Sequence, residues 1–304
     1  MRPEAPVAPP AGRGRPTREL HLPAGTAAQD GDPIVVTPER AGWDHAGVRL
    51  LRLAAGESRT LTTGPDELAV LPLAGRCTVE CDGRVLELEG RSSVFHRVTD
   101  FAYVPMDAEL RISSRGGGDV ALPSARARRR LDVAYGAAGD VPVEIRGAGN
   151  CTRQITNFLS PESFPADRLC AVEVLTPSGN WSSYPPHKHD EDSECEAILE
   201  EIYLFRVEGE HGFGAHRTYD LEQGWDVTVT VRSDDVFLVP RGYHGPSMAA
   251  PGYDLWYLNV LAGPGEERSM AFCDDPAHHW IRDSWTGVPT DPRVPMTSAA
   301  GRRR

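Results

Sequence analysis

The chain has 304 residues, 40% of them hydrophobic, and a formal net charge of −12. Its length allows one large or two ordinary domains with real cores, and the acidic balance argues against nucleic acid as a partner. No run approaches the roughly 18 apolar residues of a membrane helix, and Met1–Pro10 lacks the apolar stretch of a signal peptide, so a cytoplasmic protein with no membrane partner is expected. Residues 1–32, rich in Pro, Gly, Ala and Arg without periodicity, are expected to form a flexible arm. Short apolar runs with turn signals follow: Ile34–Val36, Val48–Leu51, Leu68–Leu71, Val85–Leu88 and Phe101–Val104. Their spacing predicts a β sandwich or barrel over 33–130. The pattern breaks at Ser124–Arg130 and again at Gly136–Asp140, which marks a domain boundary. It resumes in a second barrel over 131–290, through Ala171–Leu175, Glu201–Val207, Val227–Val231, Val236–Val239 and Leu255–Val260. The clearest helix signal is Asp275–Ile281, with Pro276 suited to the first turn. Residues 291–304 are expected to be a flexible tail. The fold class is all-β, in keeping with 30 Gly and 26 Pro. The six scattered cysteines are expected to be buried, reduced thiols, as befits a reducing compartment.

The halves resemble each other. Asp66–Gly75 aligns without gaps on Glu200–Gly209, Ser93-Val94-Phe95 on Asp235-Val236-Phe237, and each half carries a later Val-Pro. The first copy has no His-x-His before its Glu67, so only the second can hold a metal in this way.

In that second copy, His187 and His189 lie two apart, which puts both on one face of a strand. Glu201 follows on the next strand and shares a face with Tyr203 and Phe205, which favours it over Glu200. His244 arrives from a later strand end, after Val239-Pro240. Three imidazoles and a carboxylate suit a divalent ion, Zn or Mn in the first place and Fe or Ni as alternatives, with open positions for substrate. Around this set, Tyr184, Arg217, Arg241, Tyr243, Asn259 and Arg153 are candidate substrate-binding residues, since Arg grips carboxylates in a bidentate fork. In Trp256–Val260, Tyr257 and Asn259 share the polar face. No Gly-x-Gly-x-x-Gly after a strand, P-loop or nucleophile elbow occurs.

A duplicated barrel with His-x-His, Glu and His in one copy resembles the cupin superfamily. The longer motifs Ser183–Asp190, Glu200–Tyr203, Gly212–Gly214, Val239–His244 and Ala250–Asn259 look like the 5-deoxy-glucuronate isomerase family of inositol catabolism, and so do Asp274–His278, Asp100–Pro105 and Arg153–Leu159. The resemblance spans about residues 30–285. It implies a bicupin of two double-stranded β-helix (jelly-roll) barrels, with His187, His189, Glu201 and His244 on a divalent metal. The implied reaction is aldose–ketose isomerisation of 5-deoxy-D-glucuronate, a small anionic sugar, to 5-dehydro-2-deoxy-D-gluconate, with self-association into a homo-oligomer open. Two departures stand out: His216 where Gln is expected before Arg217, and Gly245 where a small β-branched residue is expected after His244. Proton transfer between C2 and C1 needs a base, for which Tyr257, His216, a metal-bound hydroxide and, once off the metal, Glu201 are the candidates; a metal-mediated hydride shift is the alternative. Rival readings are a related 4-deoxy-5-keto-uronate isomerase, a cupin dioxygenase and a non-catalytic sugar-binding cupin.

Overall fold

Period-two alternation dominates the chain, and the computed structural model, which describes residues 20–302, is accordingly almost all strand. The first half supplies β1 (His21–Leu22), β2 (Ile34–Val36), β3 (Ala46–Leu53), β4 (Ser58–Thr62) and the long β5 (Asp66–Cys81). It continues with β6 (Arg84–Arg91), β7 (Phe101–Val104), β8 (Glu109–Ser113), β9 (Gly118–Arg126) and β10 (Ala134–Gly136). The second half supplies β11 (Val143–Arg146), β12 (Arg153–Leu159), β13 (Cys170–Thr176), β14 (Trp181–Ser182), β15 (His187–Lys188) and β16 (Glu200–Val207). After these come β17 (Gly214–Asp220), β18 (Trp225–Val231), β19 (Val236–Val239), β20 (Tyr243–Ala249), β21 (Leu255–Ala262) and β22 (Cys273–Asp274). Strands β2 to β10 curl into one nine-stranded sheet, the first barrel. The second barrel closes a seven-stranded sheet, ordered β1-β19-β16-β21-β13-β12-β11, against a sheet ordered β18-β17-β20-β15-β22. The architecture is a bicupin.

The seven-stranded sheet is buried on both faces. Ile202, Leu204, Trp256, Leu258 and Val260 point at the first barrel and meet Leu50, Leu71 and Ala121 in one core. The alternate residues Tyr203, Phe205 and Tyr257 point into the second barrel. The first barrel's own interior is filled by apolar side chains, among them Leu68, Val70, Val79, Leu110 and Ile112.

Two glutamates tie the barrels together. Glu67 is fully buried. Its carboxylate accepts the amides of Asp167 (2.8 Å), Arg168 (2.5 Å) and Leu169 (2.6 Å) and the Tyr103 hydroxyl (2.5 Å). In the opposite sense, Glu200 accepts the amides of Asp44, His45 and Ala46, each at 2.8 Å. The strand ladders also match these two residues: Glu67 faces Ala125 on β9, and Glu200 faces Ala262 on β21. The gapless alignment of Glu67 on Glu201 is therefore one residue out of register. Leu68, not Glu67, takes the place of Glu201, and a slip of one residue swaps the two faces of a strand.

Other expectations change at the ends. The arm is shorter than 1–32, because Leu20 is buried and β1 pairs with β19 of the second barrel; residues 1–19 lie outside the described residues. The crossing between barrels comes after β10, which still pairs with β7, so the boundary falls later than 130. The tail is packed. Gln154 Oε1 accepts the amides of Met296 (2.8 Å) and Thr297 (3.0 Å), and Arg302 pairs with Glu208 and Asp254; Arg303 and Arg304 lie outside the described residues. The helix signal at Asp275 gives a turn followed by a short helix, Ile281–Ser284.

Candidate metal centre

The sequence converges as alternation requires. His187 and His189 flank Lys188, whose ammonium turns the other way to Asp190 (2.8 Å) and Glu196 (2.6 Å) and so anchors the acidic 190–199 loop. Glu201 opens β16 on the cavity face, and His244 lies opposite His187 in the β15–β20 ladder. Donor atoms of His189, Glu201 and His244 lie within 4.8 Å of one another. Glu201 Oε2 is 2.9 Å from the Nε2 atoms of both His189 and His244. The His187 ring stands 4.4 Å from that of His244.

The backbone orients these rings. His187 Nδ1 is 3.0 Å from the Pro185 carbonyl and His189 Nδ1 3.0 Å from the Leu199 carbonyl. An Nδ1–H donated to a carbonyl leaves Nε2 as the free donor for an ion, the usual outer arrangement of a metal-binding imidazole. His244 Nε2 is buried without a well-formed hydrogen bond. Burial would raise the Glu201 carboxyl, but His244 and His189 outweigh it and hold it well below the usual carboxylate range. Burial, with His244 beside it, pushes His187 well below its ordinary value. Burial alone would lower His189, but the hydrogen bond and charge of Glu201 outweigh it and raise it. The ionised carboxylate and the neutral His187 are in the states that bind a cation, and an imidazole–carboxylate donor set of this kind fits a divalent metal.

Beside this cluster opens a cavity of about 500 Å³. His187, His189, Glu201, Tyr257, Asn259 and Arg153 line it. The Tyr257 hydroxyl donates to Ser182 Oγ (3.0 Å), and burial pushes its pKa up to about 12. Asn259 Nδ2 and Arg153 Nε are buried without partners.

Five expected site residues are not brought to the cavity wall. His216 is fully buried, with its ring nitrogens satisfied by the hydroxyls of Ser247 (2.8 Å) and Thr218 (3.2 Å); it packs behind Tyr203, and burial pushes its pKa down to about 3. Arg217 faces out of β17, bonds Asp226 and lies over Tyr219. Arg241 is taken by Asp220 and Glu222. Tyr243 stacks on Tyr219 instead, being next to an inward His244 and so turned outward. Tyr184 packs edge-on against Trp181. Gly245 also has its reason: at φ 94° a Cβ there would come within 1.7 Å of the Ser183 carbonyl oxygen, which no β-branched residue could do.

Three arginines that the sequence did not single out, Arg146, Arg268 and Arg282, do line the cavity. They come from an edge strand, a loop and the short helix, where no periodicity marks direction. Phe272, against the His187 ring at 4.5 Å, was likewise missed. It adjoins Cys273, which forms a disulfide with Cys195 of the 190–199 loop, contrary to the expectation of six reduced thiols. Titration of the denatured chain without reductant is expected to count four thiols, Cys77, Cys81, Cys151 and Cys170, and six after reduction; six at the outset would contradict the pairing.

The KduI/IolB family model matches residues 21–281. The 5-deoxy-glucuronate isomerase of Geobacillus kaustophilus is 40% identical over 268 residues, covering 87% of this chain and 96% of the relative. That of Bacillus subtilis strain 168 is 37% identical and covers 86% and 97%. An IolB-like protein from Salmonella typhimurium LT2 superposes with a TM-score of 0.80 at 33% identity, over 86% of this chain and 98% of that one. The oxalate decarboxylase of Lactobacillus farciminis, in its formate complex, shares the fold at a TM-score of 0.62 and 14% identity, over 88% and 91%. Among the described residues no helix is long and apolar enough to cross a membrane. With this likeness running through both barrels, the protein is an isomerase and belongs to the KduI/IolB family.

Proposed function

We propose that the protein is a metal-dependent aldose–ketose isomerase that converts 5-deoxy-D-glucuronate to 5-dehydro-2-deoxy-D-gluconate in myo-inositol catabolism. One observation carries this reading: His189, Glu201 and His244, with His187 beside them, converge at the wall of a cavity that is rich in arginine although the chain is acidic. These four residues would hold the ion, Zn or Mn in the first place, Fe or Ni as alternatives. When bound, a divalent cation supplies a Lewis acid that polarises the carbonyl and the neighbouring hydroxyl of an open-chain sugar.

The protein's own groups do the rest. Backbone carbonyls fix the imidazole orientation. Tyr257, with a pKa pushed up to about 12, stays protonated at neutral pH and would turn its hydroxyl from Ser182 Oγ to a substrate oxygen as charge develops there. Asn259 Nδ2, buried without a partner, is free to donate to a hydroxyl. Val172, Leu261, Met270 and Phe272 keep water from the reacting carbons. Under this reading Glu201, released from the ion, is the base left on the cavity wall to take the C2 proton and return a solvent-exchanged proton to C1. Turnover in deuterated water is expected to place one deuterium on the product's hydroxymethyl carbon, C6 of 5-dehydro-2-deoxy-D-gluconate and the former aldehyde C1 of the substrate; a product without it would show a hydride shift instead. The curated relatives favour 5-deoxy-D-glucuronate over the 4-deoxy-5-keto-uronate, and turnover of the two uronates side by side decides between them.

A further inference from the structure

The strands of the seven-stranded sheet lay out the cavity wall in a fixed order. First comes β16 with Glu201, then β21 with Tyr257 and Asn259, then β13 with Val172 and Val174, and then β12 with Arg153. The ladder sets Val172 opposite Asn259 and Val174 opposite Tyr257. Gln154 faces Leu175, which puts Arg153 level with Thr176 on β13, Leu255 on β21 and Val207 on β16, six residues along the sheet from the Glu201 row. Asn259 and Val172, then Tyr257 and Val174, occupy the rows between, so Arg153 and the histidine–glutamate cluster stand at opposite ends of the wall.

Arg153 is the arginine built to take an anion. It is 6% exposed, Nη1 reaches only the Cys151 carbonyl (3.2 Å), and Nε has no partner. Among the described residues no carboxylate pairs with it. The other cavity arginines are already committed, Arg146 to Glu144 (2.6 Å), Arg282 to Asp274 (2.5 Å), and Arg268, whose Nε is also unpartnered, through both Nη atoms to the Phe164 and Leu159 carbonyls (2.7 Å each). They add positive charge beside Arg153 without competing for its fork. A buried, unpaired guanidinium is costly until a carboxylate arrives. Between this arginine and the polar strand β21 lies β13, which offers only valine side chains to the cavity.

We propose that Arg153 holds the substrate carboxylate and that Val172 and Val174 read the missing hydroxyl on the carbon next to it, so the wall selects an acid deoxygenated beside its carboxylate. The proposal rests on the isomerase reading for its orientation, with the carbonyl end at the histidines. A hydroxyl pressed against the two valines would lose its water and gain no partner, whereas a methylene fits.

Calorimetric binding of acids that cannot isomerise tests this without turnover. The probes are 2-deoxy-D-gluconate, whose methylene adjoins the carboxylate, D-gluconate, which has a hydroxyl there, and neutral D-glucitol. The wild-type protein is expected to bind 2-deoxy-D-gluconate about 10-fold more tightly than gluconate, and gluconate about 30-fold more tightly than glucitol. Arg153→Met should erase the acid-over-neutral preference, and Val174→Thr should shrink the deoxy preference to about 3-fold or less. Arg153→Lys, which keeps the charge but loses the fork, covers the case in which the methionine variant does not fold; it should weaken both acids about 10-fold. An unchanged acid preference in the Arg153 variants, or equal binding of the two acids to the wild type, would overturn the proposal. If the wild type shows both preferences and turns over neither uronate, the isomerase reading fails and the subsite stands. If it turns over 5-deoxy-D-glucuronate while the variants bind as wild type, the subsite fails and the isomerase reading stands.

Discussion

His189→Ala is expected to lower turnover of 5-deoxy-D-glucuronate by about 1,000-fold or more and to strip the bound metal, while the barrel stays folded. A Lewis acid at a carbonyl supplies several kcal/mol of barrier lowering, and each 1.4 kcal/mol is about tenfold in rate. The fold survives because Glu201 Oε2 keeps His244 Nε2 at 2.9 Å after His189 is removed, so the buried carboxylate is not stranded. Bound metal should fall from about one equivalent per chain to a small fraction of that, since a four-donor site loses both a ligand and its geometry. Metal content and rate measured on the same preparation check this; a variant that keeps its metal yet loses activity would place His189 in another role. Arg217→Ala serves as the control. Its guanidinium is held by Asp226 on the outer face of β17, and exposed pairs of this kind contribute about 1 kcal/mol or less, so kcat/KM should stay within about twofold.

The second large effect lies outside the cavity. Glu67→Leu is expected to destabilise the protein by about 3–5 kcal/mol, because three amides and a tyrosine hydroxyl lose a buried acceptor at once. For a chain of this size that corresponds to a fall in Tm on the order of 10 °C. Glu200→Ala removes a similar set of bonds at a half-buried position and should cost about 1–2 kcal/mol. Thermal unfolding of the two variants checks both values. Equal losses, or a Glu67 variant within about 1 kcal/mol of wild type, would mean that the clamp does not hold the barrels together. Metal content of the same two variants distinguishes Glu67 as a clamp from Glu67 as a vestigial ligand, since a ligand position would change it and a clamp would not.

The strands and the candidate metal ligands were legible in the sequence because both follow period two. His187 and His189 must share a face, Glu201 must share one with Tyr203, and Tyr257 must share one with Asn259; the cavity wall holds them all. The same rule left a choice of faces for Arg217 and Tyr219, which do share a face, but the outer one. For Tyr243 the rule had the answer: a residue adjacent to an inward histidine points away. Arg146, Arg268 and Arg282 reach the cavity through chain closure between distant segments, which no local pattern encodes. The Glu67 register slipped because Asp66-Glu67 and Glu200-Glu201 are both acidic pairs, and only the ladder to β9 and β21 distinguishes the members. The Cys195–Cys273 bond joins residues 78 apart in sequence, a pairing set by where the 190–199 loop lies across β22.

Metal content and 5-deoxy-D-glucuronate turnover, followed in one sample through chelation and re-addition, test the central claim most directly. The account predicts that rate and bound ion fall together and return together on adding back Zn or Mn, with 5-dehydro-2-deoxy-D-gluconate as product. Full turnover by metal-free protein would contradict it.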